Sequence, residues 1–332
     1  MKKNFAARVI TGARLRNALA RLLPREGVVI LNYHRIGDGT SSLHDRALWS
    51  ATEQGFDDQL AFLKSHCDVI ALDDLTDALH TRGGRHVAIT FDDGYLDNYE
   101  LAFPALRRHG LPAAFFIATG FIDRPRLPWW DEIAMLVRTT TAARLDMHDW
   151  IATPLQLAVD REGCINALLR AYKQLGPAPA TAFLERLREQ TGASGVGPAP
   201  KHWMDWDMIR EMAGGGMTIG GHTMDHPVLA TLPASAQQQE ITGCASRLQE
   251  ELGQPMDYFA YPVGGRQSFN SDTFACLDQL GTRNAFSYYG GFATRRSHRY
   301  DLQRVAIEAH MGQPLFRAIT QLPQVFCRRT DE

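Results

Sequence analysis

Short apolar runs of strand character alternate with amphipathic stretches of helical character along most of this 332-residue sequence. The seven clearest strand-like runs cover residues 28–34, 86–91, 112–118, 217–221, 258–262, 284–289 and 302–308. Helical patterns lie between several of these runs, and the clearest end at a glycine, which is favoured just after a helix. The alternation predicts an α/β fold with a parallel sheet. About seven strands suit a distorted (β/α) barrel better than an open, doubly wound sheet.

Two segments depart from this alternation. Residues from about 126 to 200 show helical patterning that ends in a stretch rich in Pro, Gly and Ala, so we interpret them as a helical insertion in a domain spanning 26–320. Segment 1–25 carries seven basic residues and no acidic residue. Its interleaved apolar residues fit a helix on an anionic membrane surface, or a solvated helix packed on the edge of the domain.

The overall composition excludes several classes of protein. A net charge of -2 gives no sign of the basic surface that nucleic-acid-binding proteins show. The five cysteines are spaced singly, so we expect neither a disulfide framework nor a cysteine-rich metal site. Neither a signal peptide nor an apolar run of the roughly 18 residues that span a membrane is visible. We therefore expect a cytoplasmic protein, with peripheral contact at the inner membrane through segment 1–25.

Two adjacent aspartates, Asp92 and Asp93, directly follow the apolar run 86–91 and precede a glycine. Asp-Asp-Gly is also ordinary turn chemistry, so a plain turn is the alternative interpretation. However, two neighbouring carboxylates at a strand end repel each other and raise one pKa, unless a cation neutralises one of them. In parallel α/β folds the chemistry gathers at the C-terminal ends of strands. The pair is therefore a candidate for a metal-dependent active site.

Two histidines, His222 and His226, follow the apolar run 217–221 with a spacing of four residues. On a helical turn this spacing would place both imidazoles on one face, within reach of one metal ion. One carboxylate and two histidines leave coordination positions for water and substrate, which is typical of catalytic metal sites. We predict that Asp93, His222 and His226 bind the metal and that Asp92 is the general base of a hydrolysis.

The sequence TFDDG at 90–94, followed by HTMDH at 222–226, resembles the first two motifs of the polysaccharide deacetylase family, also called the NodB-homology or carbohydrate esterase 4 family. The resemblance covers residues from about 28 to 308. It implies a distorted (β/α) barrel that removes N- or O-acetyl groups from sugars. It also implies that Asp93 and both histidines bind a divalent metal, most commonly Zn²⁺ but also Co²⁺, Ni²⁺ or Mn²⁺, and that Asp92 is the base.

The third motif of that family is matched less closely. The sequence FAYPVGG at 259–265 is similar to it, which implies that Pro262 and Val263 border the substrate and that a backbone N–H binds the oxyanion. Ala260 stands where many members have an arginine that orients the base. We expect Arg304, in the last strand-like run, to take this role; an ordinary surface position is the alternative.

The general acid has two candidates, because the C-terminal motif that carries the family's acid histidine is not recognisable. The sequence LNYHRI at 31–36 is similar to the branch of exopolysaccharide deacetylases in which a histidine after the first strand supplies the proton. This likeness implies that His34 is the acid. His310 is the competing candidate.

Two tryptophans, Trp129 and Trp130, lie in a WWDE run that fits a loop at the rim of the site, where they would stack on sugar rings; core packing is the alternative. Together these features predict a metal-dependent hydrolase that removes acetyl groups from a sugar of a polysaccharide, an oligosaccharide or a lipid-linked glycan precursor. Relatives that hydrolyse formamides or cyclic amides supply the first alternative. A catalytically inactive carbohydrate-binding module is the second.

Overall fold

The computed structural model describes residues 26–81, 83–193 and 202–327. Segment 1–25 lies outside this range, so its expected membrane contact stays a prediction, and so does the linker at the end of the insertion. Within the described residues, the strands are β1 (Val29–Tyr33), β2 (Arg35–Ile36), β3 (Trp49–Ala51), β4 (Asp68–Val69), β5 (His86–Phe91), β6 (Ala114–Ile117), β7 (Arg144–Leu145), β8 (Leu155–Gln156), β9 (Thr218–Gly221), β10 (Tyr258–Ala260), β11 (Asn284–Ser287) and β12 (Leu302–Ala306).

Seven of these strands form a closed parallel barrel. Their order around the barrel is β1, β12, β11, β10, β9, β6 and β5, and β5 pairs with β1 to complete the ring. Strand β4 pairs with the start of β5. Each of the seven predicted strand-like runs contains one barrel strand, so the predicted (β/α) barrel is confirmed.

Helices connect the strands and pack around the barrel. In the described residues they are α1 (Glu53–His66), α2 (Leu75–His80), α3 (Phe103–His109), α4 (Thr119–Asp123), α5 (Trp129–Thr139), α6 (Arg161–Tyr172), α7 (Pro177–Thr191), α8 (Trp206–Gly214), α9 (Ala234–Leu252), α10 (Ser271–Gln279), α11 (Gln313–Gln321) and α12 (Pro323–Phe326). A π-helical turn, Asn98–Ala102, precedes α3. Among these described helices, none is both long and apolar enough to span a bilayer.

Alternate residues of the barrel strands belong to two different cores, because successive side chains of a strand point to opposite faces. Leu31 and Ile89 lie in a large core that includes the packed helices. Their neighbours Ile30 and Ala88 lie in a separate cluster inside the barrel. Since both faces are buried, each strand reads in the sequence as a continuous apolar run.

Polar residues occupy the inward-facing positions at the C-terminal end of the barrel. Asn32, Thr90 and Arg304 have no solvent exposure, and Arg304 lies in register with Ile30 of the adjacent strand. Asp92 comes two positions after Thr90 and therefore continues the inward face, whereas its neighbour falls on the other side. The strand alternation, together with a left-handed backbone at Asp93, thus separates the two adjacent aspartates.

The insertion is mostly helical, but it also contains an antiparallel pair of strands. Helix α5 packs against α6 and α7, and β7 pairs with β8 through Arg144 with Gln156 and Leu145 with Leu155. The sequence did not predict this pair, because strands of two residues are too short to show an alternating pattern.

Candidate active site

Asp92 lies at the end of β5 with both carboxylate oxygens hydrogen-bonded. Nη1 and Nη2 of Arg304 donate to Oδ1 and Oδ2, and Nδ2 of Asn32 donates to Oδ2, each at 2.8 Å. Arg304 is fully buried, so the alternative of a surface arginine is wrong. Burial raises the pKa of Asp92, but the charges of Arg304 and His222 outweigh it and hold this pKa below its usual value. Asp92 is therefore ionised at neutral pH, as a general base must be.

Asp93 faces the two histidines. Its backbone has a φ of 77°, in the left-handed region. Nε2 of His222 and Nε2 of His226 each lie 3.3 Å from Oδ1 of Asp93, yet this oxygen accepts no hydrogen bond from any described residue. Nδ1 of His222 lies 2.8 Å from the carbonyl oxygen of Ala260, which favours a proton on Nδ1 and leaves the Nε2 lone pair directed towards Asp93. All three side chains are buried.

The positions of these three donor atoms suit a metal ion. Zn–N and Zn–O bonds of about 2.0–2.2 Å at tetrahedral angles place neighbouring ligand atoms about 3.3–3.5 Å apart. The two distances of 3.3 Å to Oδ1 of Asp93 match this separation. This buried oxygen, which lacks a hydrogen-bond donor among the described residues, has lone pairs left for a cation. One carboxylate and two imidazoles therefore fit Zn²⁺ or a related divalent ion.

The segment that carries both histidines is a loop after β9. Thr223 and His226 have φ values of 64° and 56°, which residues other than Gly rarely adopt. The His226 N–H donates to Oγ1 of Thr223 at 3.0 Å, and Glu240 of α9 accepts the N–H groups of Met224 and Asp225. The two imidazoles do meet, with ring centroids 4.8 Å apart, but the predicted helical turn is wrong.

A cleft with a volume of about 270 Å³ contains both aspartates and both histidines. His34, just after β1, lies at its wall, with its ring centroid 5.7 Å from that of Tyr288 in an edge-on contact. The side chain of His310 is 80% exposed and contacts Glu308, and His310 is not among the described residues that line the cleft. The structure therefore places His34, and not His310, at the candidate site.

Several further polar residues of the cleft wall, among them Tyr288, Lys173 and Asp45, were not predicted. Tyr288 directly follows β11, so its position after a strand was a usable signal. Lys173 directly follows α6 in the insertion, and Asp45 lies in the connection between β2 and β3. No motif in the sequence marks either of these two positions.

Trp129 and Trp130 form the start of helix α5, so the prediction of a loop rim is wrong. Trp130 is only 4% exposed, its ring centroid lies 4.4 Å from that of His226, and its Nε1 donates to the Tyr95 hydroxyl at 2.7 Å. Trp129 is half-buried, stacks on Tyr172 with centroids 4.4 Å apart and borders the cleft. Trp130 thus supports a metal-ligand candidate, and Trp129 is the better placed to meet a ligand.

Val263 borders the cleft with an unusual backbone conformation. Its φ of 64° is rare for a β-branched residue. The carbonyl oxygen of Pro262 accepts the Gly264 N–H at 2.7 Å, and the carbonyl oxygen of Gly264 accepts the Tyr288 N–H at 2.6 Å. These bonds hold the turn in place, as is common for strained segments at binding sites. Pro262 itself is not among the described residues that line the cleft.

The substitution His222→Ala is expected to remove one equivalent of divalent metal per chain, because the two protein ligands that remain bind the ion too weakly to retain it. Metal analysis of the tag-free protein after gel filtration measures this loss. His310→Ala is the matched control, since its imidazole is exposed. Unchanged metal content in His222→Ala would contradict the assignment of this ligand.

Comparison with known sequences identifies a matching family and a related protein. The model of the family described as Polysaccharide deacetylase matches residues 80–148 and 162–285, more than half of the chain. YxkH of Bacillus subtilis (strain 168), whose name assigns it to the polysaccharide deacetylases, is 23% identical over 232 residues. The aligned part covers 70% of this chain and 55% of YxkH, so the chain spans about half the length of that relative.

Comparison with solved structures gives the same fold. The deacetylase PplD of Streptococcus pyogenes, solved in complex with acetate, has a TM-score of 0.61 at 18% identity and covers 91% of this chain and 100% of its own. IcaB from Ammonifex degensii has a TM-score of 0.57 at 20% identity, with coverages of 90% and 98%. A de-N-acetylase from Aggregatibacter actinomycetemcomitans has a TM-score of 0.55 at 16% identity, with coverages of 86% and 97%.

Proposed function

Because this chain belongs to the polysaccharide deacetylase family, we propose that it is a metal-dependent hydrolase that removes N-acetyl groups from an amino sugar of a glycan. The observation that supports this proposal best is that two adjacent buried aspartates have separate partners. Asp92 pairs with Arg304, whereas Asp93 faces His222 and His226. One carboxylate is thereby available to a metal, and the other remains available to a proton.

Asp93, His222 and His226 would hold the metal, for which Zn²⁺ suits the donor set best. When bound, such an ion polarises the acetyl carbonyl and makes water more acidic. The buried imidazole of His222 keeps its orientation through the contact of Nδ1 with Ala260. The chain thus prepares the ligand geometry before any substrate arrives.

Asp92 has the surroundings of a general base. Arg304 and Asn32 hold its carboxylate from inside the barrel, so that it can accept a proton from water in the cleft without first reorienting. The guanidinium lowers the basicity of Asp92, while burial acts in the opposite direction. The pair therefore combines a fixed geometry with a carboxylate that is ionised at neutral pH.

His34 is placed to act as the general acid. Its backbone is fixed from both sides, because its N–H donates to Oγ of Ser50 at 3.0 Å and its carbonyl oxygen accepts from Nδ2 of Asn98 at 2.7 Å. As the C–N bond breaks, the imidazolium would protonate the leaving nitrogen. Asp92 gains one proton from water and His34 loses one to the leaving nitrogen, which gives acetic acid and the amine. The acid then ionises and its proton passes to the amine, so the products are acetate and a protonated amino sugar.

An acetate-release assay tests this proposal directly. The purified full-length chain would be incubated with N-acetylglucosamine oligomers, an N-acetylated lipid-linked glycan, an O-acetylated glycan and a panel of formamides and cyclic amides. We expect acetate from at least one N-acetylated glycan and release that is slower by about 10²-fold or more from Asp92→Asn. Release from the O-acetylated glycan alone, or turnover of the small amides alone, would contradict the N-acetyl sugar as the substrate.

The hypothesis of an inactive carbohydrate-binding module has lost its main support. It rested on the imperfect third and C-terminal motifs, yet Arg304 pairs with Asp92 from another strand and His34 lies at the cleft wall. The cleft contains a buried base, a candidate acid and a set of metal ligands. Binding a sugar without hydrolysing it would not require these three groups. We therefore propose catalysis rather than binding alone.

Trp129→Ala is expected to raise KM for a glycan substrate about 2- to 12-fold with little change in kcat, since aromatic contacts contribute about 0.5–1.5 kcal/mol. Trp129 borders the cleft but has no assigned role in proton transfer or metal binding, so it would act through substrate binding. Steady-state kinetics measure both parameters. Trp150→Ala is the control, because Trp150 packs on Phe183 in the insertion away from the cleft wall; an equal KM rise in both variants would contradict a direct contact.

A further inference from the structure

His44, Asp131 and His202 form a second group of converging metal-ligating side chains. They come from the connection between β2 and β3, from the first turn of α5 and from the segment before α8. Their ligand atoms all lie within 4.8 Å of one another. We propose that these three residues bind a second divalent cation of the zinc class, separate from the ion assigned to Asp93 and its histidines, and that this ion has a structural role.

The geometry of the two imidazoles supports a shared ion. Nε2 of His44 lies 3.3 Å from Nε2 of His202, and the rings are nearly perpendicular, at 83°, with centroids 4.4 Å apart. This separation equals the one expected between two nitrogen ligands of a tetrahedral zinc ion. It also equals the Nε2 to Oδ1 separations at the catalytic site. Two nitrogen atoms that face each other in this way can both donate lone pairs to one cation.

Asp131 supplies a carboxylate that is already held in place. The Asp45 N–H donates to its Oδ1 at 2.9 Å, and the Tyr95 hydroxyl donates to its Oδ2 at 3.1 Å. Each oxygen therefore retains a lone pair for an ion. Hydrogen bonds of this kind, from groups outside the ligand set, commonly orient metal-binding carboxylates.

A cation would also neutralise a buried charge. Asp131 has no solvent exposure, and no described Lys or Arg side chain forms an ion pair with it. The nearby guanidinium of Arg35 is bound to Asp97 at 2.8 Å and lies between the rings of Trp49 and Tyr95, at 4.1 and 4.3 Å. Ionising a buried carboxyl group without an ionic partner is costly, so a divalent cation at this position would stabilise the charged form of Asp131.

The protonation states of the three groups are compatible with metal binding. Burial lowers the pKa of His202 to about 4, and it also lowers the pKa of His44. Both imidazoles are thus neutral near pH 7, which is the form that binds metals. Burial raises the pKa of Asp131 to about 7, so a cation needs to displace at most one proton near pH 7. Without a cation, the same residues would form a neutral hydrogen-bonded cluster, which is the competing interpretation.

The position of this cluster explains what a second ion would do. The segment of His202 is hydrogen-bonded to the turn that follows the catalytic aspartates. The carbonyl oxygen of His202 accepts the Leu96 N–H at 2.7 Å, and the Met204 N–H donates to the carbonyl oxygen of Gly94 at 3.1 Å. Asp131 is adjacent to Trp130, whose ring contacts His226. An ion bound here would therefore connect the insertion to both segments that carry the catalytic metal ligands.

Metal analysis of tag-free, full-length variants tests the proposal without any activity measurement. We expect two equivalents of zinc per chain in the wild type, one in His202→Ala, one in His222→Ala and none in the double variant. His148→Ala is the control, since this imidazole is 64% exposed and should leave the content unchanged. A wild type that binds one equivalent, all of it lost in His222→Ala, would overturn the second site but leave the proposed catalysis intact.

Cobalt spectroscopy provides a readout for variants that fold less well. The His222→Ala chain, stripped of metal and titrated with Co²⁺, should develop visible absorption from the remaining site. Introducing Asp131→Asn, a nearly isosteric change, should weaken Co²⁺ binding by at least tenfold, and introducing His44→Ala should do the same. Absorption that is absent in His222→Ala, or that is unchanged by both additional substitutions, would refute the site.

Discussion

Asp92→Asn is expected to lower kcat/KM for acetate release by about 10²- to 10⁴-fold, the usual contribution of a general base. The amide can still accept from Arg304, so the local geometry should survive, but it cannot take a proton from water. The metal content should stay at the wild-type value, because Asp92 faces the barrel interior rather than the histidines. Kinetics and metal analysis on the same preparation measure both quantities.

Two controls sharpen this result. Asp58→Asn alters an exposed carboxylate of another Asp-Asp pair, so it should leave both activity and metal content unchanged. Asp93→Ala should lose metal as well as turnover. If Asp92→Asn lost metal, or if it kept more than a tenth of the activity, the roles assigned to the two aspartates would be wrong.

Arg304→Met is expected to destabilise the protein by about 3–5 kcal/mol, the typical cost of removing one partner of a buried ion pair. The side chain has no solvent exposure and makes two hydrogen bonds to Asp92, so its loss leaves a carboxylate uncompensated inside the barrel. The free energy of unfolding, measured in urea for both proteins, gives the difference. Turnover should also fall, because the base loses the group that orients it.

A double-mutant cycle separates the ion pair from ordinary packing. Asp92→Asn/Arg304→Met removes both charges, so it should be less destabilised than Arg304→Met alone. Arg283→Met provides the comparison, because its ion pairs with Asp73 and Asp257 are largely exposed and should contribute about 1 kcal/mol or less. Equal losses in the single Arg304→Met variant and the double variant would show that the charge of Asp92 is not the cause.

The fold could be predicted because it depends on patterns that are local in the sequence. Each barrel strand is buried on two faces and is therefore a visible apolar run, and the adjacent aspartates stand out because they follow such a run. Arg304 was harder to place, although its neighbours Val305 and Ala306 belong to a barrel strand. Its role beside Asp92 was expected only from the resemblance to the family, and a surface position was the alternative. A charged residue within a buried strand requires a partner, which Asp92 supplies.

The parts that failed depend on backbone conformation or on contacts between distant segments. A spacing of four residues is compatible with a helix, but Thr223 and His226 have positive φ values in a loop that Glu240 of a distant helix helps to hold. The WWDE run looked like a loop because nothing local showed that Trp130 would be covered by His226. His44 and His202 are 158 residues apart in the sequence, so no motif could have brought them together.

The alternation of side chains along β5 has a consequence for how this site could change over time. The aspartates are chemically identical; Asp92 continues the parity of β5, and the left-handed turn at Asp93 directs the second carboxylate to the histidines. A single-residue insertion or deletion in β5 would shift that parity and move the side chains of the apolar run to the opposite faces of the sheet. No single substitution could exchange the two roles, so the division between base and ligand is protected by the same register that buries the strand.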